Sequence, residues 1–209
     1  DAANVQVRAV GVGDRTAGKT FCEYTGFPPE HLYVDSDASL HKALNLYEGL
    51  NAKLPGLNQK QNGYLNLLLM CAGIGSPCTL REVFRGDKGD KSAPQLIEDD
   101  EVVKAAPLPV LKGEVFKAAG GKEFQRPFEL ATLRLRNMGE VLDKWKTYVP
   151  DAAYLTQRGA TFLFEAGGEV PGKLPGQLVY EWRDRNILGF AENMSNPLSF
   201  LDTIELGKK

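Results

Sequence analysis

The sequence predicts an α/β fold interrupted by a large insertion, and three observations predict it. The first 50 residues alternate apolar runs with helical patterns, the middle loses that rhythm, and strand patterns return after residue 155. Val5, Val7, Ala9 and Val10 form a short, largely β-branched run closed by Gly11 and Gly13, which reads as a buried strand. Asp14 is placed to cap a helix from Arg15 to Tyr24, stopped by Thr25-Gly26. His31 to Asp35 reads as a second strand. Ser39 to Tyr47 is then helical, with Leu40, Ala43, Leu44 and Tyr47 on one face. Strand, helix, strand, helix predicts a parallel or mixed sheet.

Residues 51–154 are expected to be an insertion that packs on a core formed by 1–50 and 155–209. Loop dipeptides such as Pro55-Gly56 and Asn62-Gly63 recur there, as does the run Gly86-Asp87-Lys88-Gly89-Asp90. Its one strong element spans Arg126 to Tyr148, where Ala131, Leu135, Met138, Leu142 and Trp145 fall at helical spacing. Ala160 to Glu165 and Gln177 to Trp182 predict an antiparallel hairpin around a Gly/Pro-rich loop. Asn186 to Leu201 is expected to be helical in pieces, with a helix starting near Asn196.

Composition narrows the function classes. Net charge is −2, from 25 basic and 27 acidic residues, which argues against a nucleic-acid coat or a polybasic membrane anchor. Three cysteines are too few and too odd a number for a secreted disulfide framework. The longest uncharged apolar stretch, Gly63 to Leu80, is broken by Asn66, glycines and Pro77. A bilayer span needs about 20 mostly apolar residues, so Tyr64 to Cys71 reads as a buried or docking segment. An Asp at position 1, with no leader after it, is expected of a processed chain or a fragment.

Gly13-Asp14-Arg15-Thr16-Ala17-Gly18-Lys19-Thr20 matches a P-loop string between a predicted strand and a predicted helix. In such a site Gly13 and Gly18 shape the phosphate cradle, Lys19 reaches the phosphates and Thr20 holds a magnesium ion. A chance match in a Gly-rich chain is the competing and simpler reading. Cys22 is expected to be a buried helical thiol. Cys71 and Cys78 are spaced as C-x₆-C, which suits neither a zinc knuckle nor a C-x-x-C dithiol, though the loop between them lets them approach. His31 and His41 are expected at a strand edge and on a helix surface. No residue set supports a metal site or a nucleophilic triad, and no cofactor is implied.

Several segments together carry a family likeness. They are Val7-Arg8-Ala9-Val10-Gly11-Val12-Gly13, Phe21-Cys22-Glu23-Tyr24-Thr25-Gly26-Phe27-Pro28, Leu32-Tyr33-Val34-Asp35 and Leu44-Asn45-Leu46-Tyr47. To these add Arg85 through Pro94, Gln125 through Met138, Gly159 through Phe164, and Tyr180-Glu181-Trp182-Arg183-Asp184. In combination they resemble the peroxiredoxin-like 2 family, AhpC/TSA-type proteins of thioredoxin-like fold, in its plant and algal chloroplast branch. The resemblance implies a mixed central sheet flanked by helices and a thiol-dependent reduction of peroxide in the parent protein. It also implies that the redox cysteine, with its strand and helix, lies upstream of the segment matching Asp1 to Gly13, so that neither element is in this chain.

Arg158 resembles the arginine that helps activate peroxide in ordinary peroxiredoxins. Without the interior strand, an open slot is expected between the Val5–Val10 strand and the one at Thr161–Phe164; Leu67-Leu68-Leu69 is the only internal run apolar enough to fill it. The resemblance implies a noncatalytic or accessory subunit in a larger plastid assembly, stromal or at the thylakoid face. The alternative is an active antioxidant oxidoreductase. Protein partners, including a redox donor such as thioredoxin, follow from it, and peripheral membrane association stays open.

Overall fold

The computed structural model describes residues 5–105, 107–121, 123–165 and 176–203. Strand β1 (Ala9–Val12) pairs in parallel with β2 (Leu32–Asp35), and helix α1 (Arg15–Thr25) makes the crossover. α1 begins where the Asp14 carboxylate accepts the Ala17 N–H at 2.8 Å, and it ends at Gly26 in the left-handed region. It packs closely on β2: a Cβ on Gly18 would lie 2.8 Å from Val34 Cγ1. Val5 to Arg8 fall outside the strand and are exposed, so β1 starts later than the apolar run predicts.

Helix α2 is shorter than expected (Ser39–Ala43), because the chain turns through a positive φ of 51° at Asn45. Two helices then occupy the stretch read as loop, α3 (Gln59–Cys71) and α4 (Thr79–Lys88). α3 opens on a reciprocal cap in which Asn58 and Gln61 satisfy each other's backbone N–H groups. The Leu67-Leu68-Leu69 run lies inside α3 and so fills no gap in a sheet.

A small antiparallel pair follows, β3 (Val102–Val103) with β4 (Leu111–Lys112). Next come helix α5 (Pro127–Asp143) and one further turn, α6 (Trp145–Tyr148). The expected single helix is thus divided at Lys144. Strands β5 (Ala160–Phe164) and β6 (Leu178–Arg183) form the predicted hairpin; much of its connecting loop lies outside the described residues. The tail is less helical than expected, with only a 3₁₀ turn at Ser199–Thr203.

Parallel and antiparallel pairing are both present, but in three separate two-stranded ladders rather than one continuous sheet. Among the described residues β1 and β5 each have a hydrogen-bonded neighbour on one side only. The β1–β2 and β5–β6 ladders are tied through the turn that follows α2: the Arg183 guanidinium donates to the carbonyls of Leu44 and Asn45, and Arg158 N–H donates to Tyr47 O at 2.9 Å.

The tightest packing is elsewhere. Ile97, Val103 and Phe116 are fully buried, with Leu111 and Leu133 against them, all within residues 51–154. Beside this cluster Arg126 and Glu129 are completely buried and paired at 2.8 Å. The Glu129 carboxylate also accepts the backbone N–H groups of Leu96, Ile97 and Arg126. A second polar hub joins distant segments. Arg85 bridges Glu82 and Asp90 and donates to Gln125, while Asp90 accepts the hydroxyls of Ser92 and Ser195.

Candidate functional site

The predicted site residues fall into two unrelated places. At the start of α1 the Asp14 carboxylate already takes the Ala17 N–H, one of the groups a phosphate would need. Lys19 points along the exposed helix face to Glu23 at 3.7 Å, and the Thr20 hydroxyl donates to Thr16 O at 2.9 Å. Gly13 N–H donates to Asp35 O at 3.4 Å, and Gly18 gives α1 its close approach to β2. The four P-loop candidates, Gly13, Gly18, Lys19 and Thr20, thus each have a local structural partner. Together they form a capped helix start.

The second place brings Cys71 and Arg158 together. Cys71 is the last residue of α3, and Cys78 sits just before α4 with a φ of 66°. The loop between them turns at Gly73 and Gly75, both at positive φ. Tyr47 braces that loop by donating its hydroxyl to Gly75 O at 2.8 Å. Both thiols are exposed and free, whereas Cys22 is buried in α1 as its helical position predicts.

Arg158 approaches from the segment entering β5. Its Nε donates to Thr156 O at 2.8 Å and an Nη to Leu155 O at 3.1 Å, so local carbonyls fix the guanidinium. Burial pushes its pKa down, and the Asp184 carboxylate and the Cys71 sulfur, both near enough to act on its charge, push the other way. Burial pushes the Asp184 carboxyl up; the nearby Trp182 indole, the Arg158 charge and the Gly159 backbone counter it. The Trp182 N–H and Asp184 Oδ1 stop short of full hydrogen-bond geometry. The arrangement is an exposed thiol within electrostatic range of a fixed cation, with a partly desolvated carboxyl on the same cation.

Sequence reasoning missed one buried pair. His41, expected on a helix surface, is buried with Nδ1 3.4 Å from the Asp35 carboxylate. Burial pushes Asp35 up, but bonds from Ser39, Leu40 and His41 outweigh it and hold its pKa down at about 2. The available signal was the Asp-Ser-Asp turn ahead of Ser39, whose carboxylate supplies the cap. The bonding of this pair is mostly structural: three of the four groups bonded to the Asp35 carboxylate are backbone N–H or hydroxyl groups at the start of α2.

Among the described residues no group of His, Cys, Asp and Glu could hold a metal ion. No helix among them is long and apolar enough to cross a membrane. A family model described as AhpC/TSA antioxidant enzyme matches residues 1–186. No curated protein and no solved structure matches significantly. With that match covering most of its length, the chain belongs to the AhpC/TSA antioxidant enzyme family, peroxiredoxin-like proteins of thioredoxin-like fold.

Proposed function

We propose that this chain acts as a noncatalytic, docking member of its family within a larger plastid assembly. The observation that carries the reading is the corner made by α3, its following loop and α4. Leu68, Ile74, Leu80 and Phe84 there are 66%, 53%, 49% and 57% exposed. α4 is amphipathic in the inverted sense. Glu82 is buried and Arg85 is turned toward Asp90, while Leu80 and Phe84, one turn apart, face outward. Apolar side chains presented this way suit a contact with another protein. The chloroplast-type sequence resemblance supports the plastid setting. If the reading holds, the chain migrates in a complex with stromal or thylakoid proteins, and Leu80→Glu with Phe84→Glu releases it. A monomeric, monodisperse chain in such extracts would overturn it.

The proximity of Cys71 and Arg158 favours a second reading, an active thiol oxidoreductase. The Cys71 thiolate would attack a peroxide oxygen, breaking the O–O bond and forming a sulfenic acid, while the departing hydroxide takes a proton to become water. An external dithiol, such as reduced thioredoxin, would then return the thiol with loss of a second water. A thiol-peroxidase assay separates the readings. Turnover equal to that of a Cys71→Ser, Cys78→Ser double variant supports the docking reading. Turnover that falls in Cys71→Ser and in Arg158→Ala supports the enzyme.

A further inference from the structure

An open cavity of about 430 Å³ lies between the 48–57 loop, the first two turns of α3 and the segment Ala153–Gln157. That volume is within the range of small-molecule sites, about 300–1,000 Å³. Its backbone walls are fixed by bonds internal to the protein. The buried Asn66 amide clamps Ala52, accepting its N–H at 3.2 Å and donating to its carbonyl at 3.0 Å. Asn62 accepts the Leu54 N–H at 2.9 Å and donates to Leu57 O at 3.0 Å. Gly63 lies so close to Ala152 that a Cβ would come within 2.4 Å of its carbonyl oxygen. Lys42 is committed as well: its ammonium donates to Asp37 O and lies over the Tyr154 ring.

Four lining side chains differ from these. Glu48, Asn51, Lys53 and Gln59 line the cavity and bond to none of the described residues. They offer one anion, one cation and two amides that can both donate and accept. Leu54 and Leu57, 49% and 38% exposed, supply apolar surface on the same anchored loop.

We propose that this cleft binds a short free peptide, a dipeptide or tripeptide with both termini unblocked. Lys53 takes the carboxylate and Glu48 the ammonium. Asn51 and Gln59 bond the peptide group between them, and an aliphatic side chain rests on Leu54 and Leu57. A sugar has no charges to offer Glu48 and Lys53, and a nucleotide carries more negative charge than one free lysine beside a glutamate balances. An internal stretch of a protein lacks the termini. The proposal uses none of the side chains of the docking corner and does not depend on that reading.

The test is an NMR titration of the isotope-labelled chain with alanyl-leucine, read at the side-chain amides of Asn51 and Gln59. Saturable shifts with a millimolar or tighter Kd are expected. N-acetyl or C-amide blocking should weaken binding about tenfold, as should Glu48→Gln or Lys53→Ala. Glu48 and Lys53 are exposed, and unchanged backbone resonances confirm that the variants fold. No saturable shift at about 10 mM peptide would overturn the proposal. So would equal binding of the blocked peptide, or the same shifts produced by maltose.

Discussion

The ladder half of the molecule and residues 51–154 divide the work of folding unevenly. β1, β2, β5 and β6 contain a single buried residue, Asp35, and leave Tyr33 and Phe164 more than half exposed. Residues 51–154 hold the fully buried cluster of Ile97, Val103 and Phe116 and the completely buried Arg126–Glu129 pair. The ladder segments are the thinly packed ones, and residues 51–154 are where large side chains are withdrawn from water.

The largest expected effect sharpens that contrast. Glu129→Ala leaves a buried guanidinium without its anion and strips partners from three backbone N–H groups, and should cost about 3–5 kcal/mol. Tyr33→Ala in β2 should cost under about 1 kcal/mol, because that ring is 56% exposed. Denaturant unfolding of both variants checks the pair, and equal losses would break the contrast. An Arg126→Met, Glu129→Leu chain should recover only part of the deficit: the unpaired charge is gone, but the N–H groups of Leu96, Ile97 and Arg126 still lack their acceptor.

A smaller effect should appear in acid and should involve both halves. Asp35 in the ladder half and Asp90 within residues 51–154 are each raised by burial. Each is lowered further by hydrogen bonds, to about 2 from the ordinary 3.8. A carboxyl depressed in the folded state binds fewer protons there than in the unfolded chain. The stabilisation is thus complete above about pH 4 and lost as pH falls through about 2. Each group should contribute roughly 1 kcal/mol once screening by nearby water is allowed for. Asp90→Asn should flatten the acid limb between pH 4 and 2 in urea midpoints. An unchanged limb would show that the Asp90 hub does not govern acid unfolding.

The smallest effect belongs to Lys19. Its ammonium is 78% exposed and pairs only with Glu23, so Lys19→Ala should shift stability by less than about 0.5 kcal/mol. ATP with magnesium should leave the melting temperature of either form unchanged. A nucleotide-dependent rise lost in the variant would revive the phosphate cradle.

Legibility in the sequence followed the same division. α1, β2 and the β5–β6 pair could be read because Asp14, Gly26 and alternating apolar residues act locally. α3 could not, because Tyr64 through Met70 carry apolar groups around most of the helix and Gly63 reads as a breaker. The glycine is instead required by the close pass of Ala152, a contact 89 positions along the chain. α4 was hidden because its charged pair turns inward and its leucine and phenylalanine outward, the reverse of the usual pattern. The proximity of Cys71 to Arg158 and of Asp90 to Ser195 depends on how separate segments dock, and no local spacing encodes that.

The hydroxyl of Ser195 on Asp90, 105 residues earlier, has a consequence for the order of assembly. Ile187 N–H reaches Ser76 across 111 positions, and Arg183 reaches Leu44 across 139. During synthesis the helices and the Phe116 cluster can form as they emerge, since their contacts are nearer in sequence. The Asp90 hub cannot close until residue 195 has been made. Until then its carboxylate is held by Arg85 and Ser92 alone, and the nascent chain waits on its own tail.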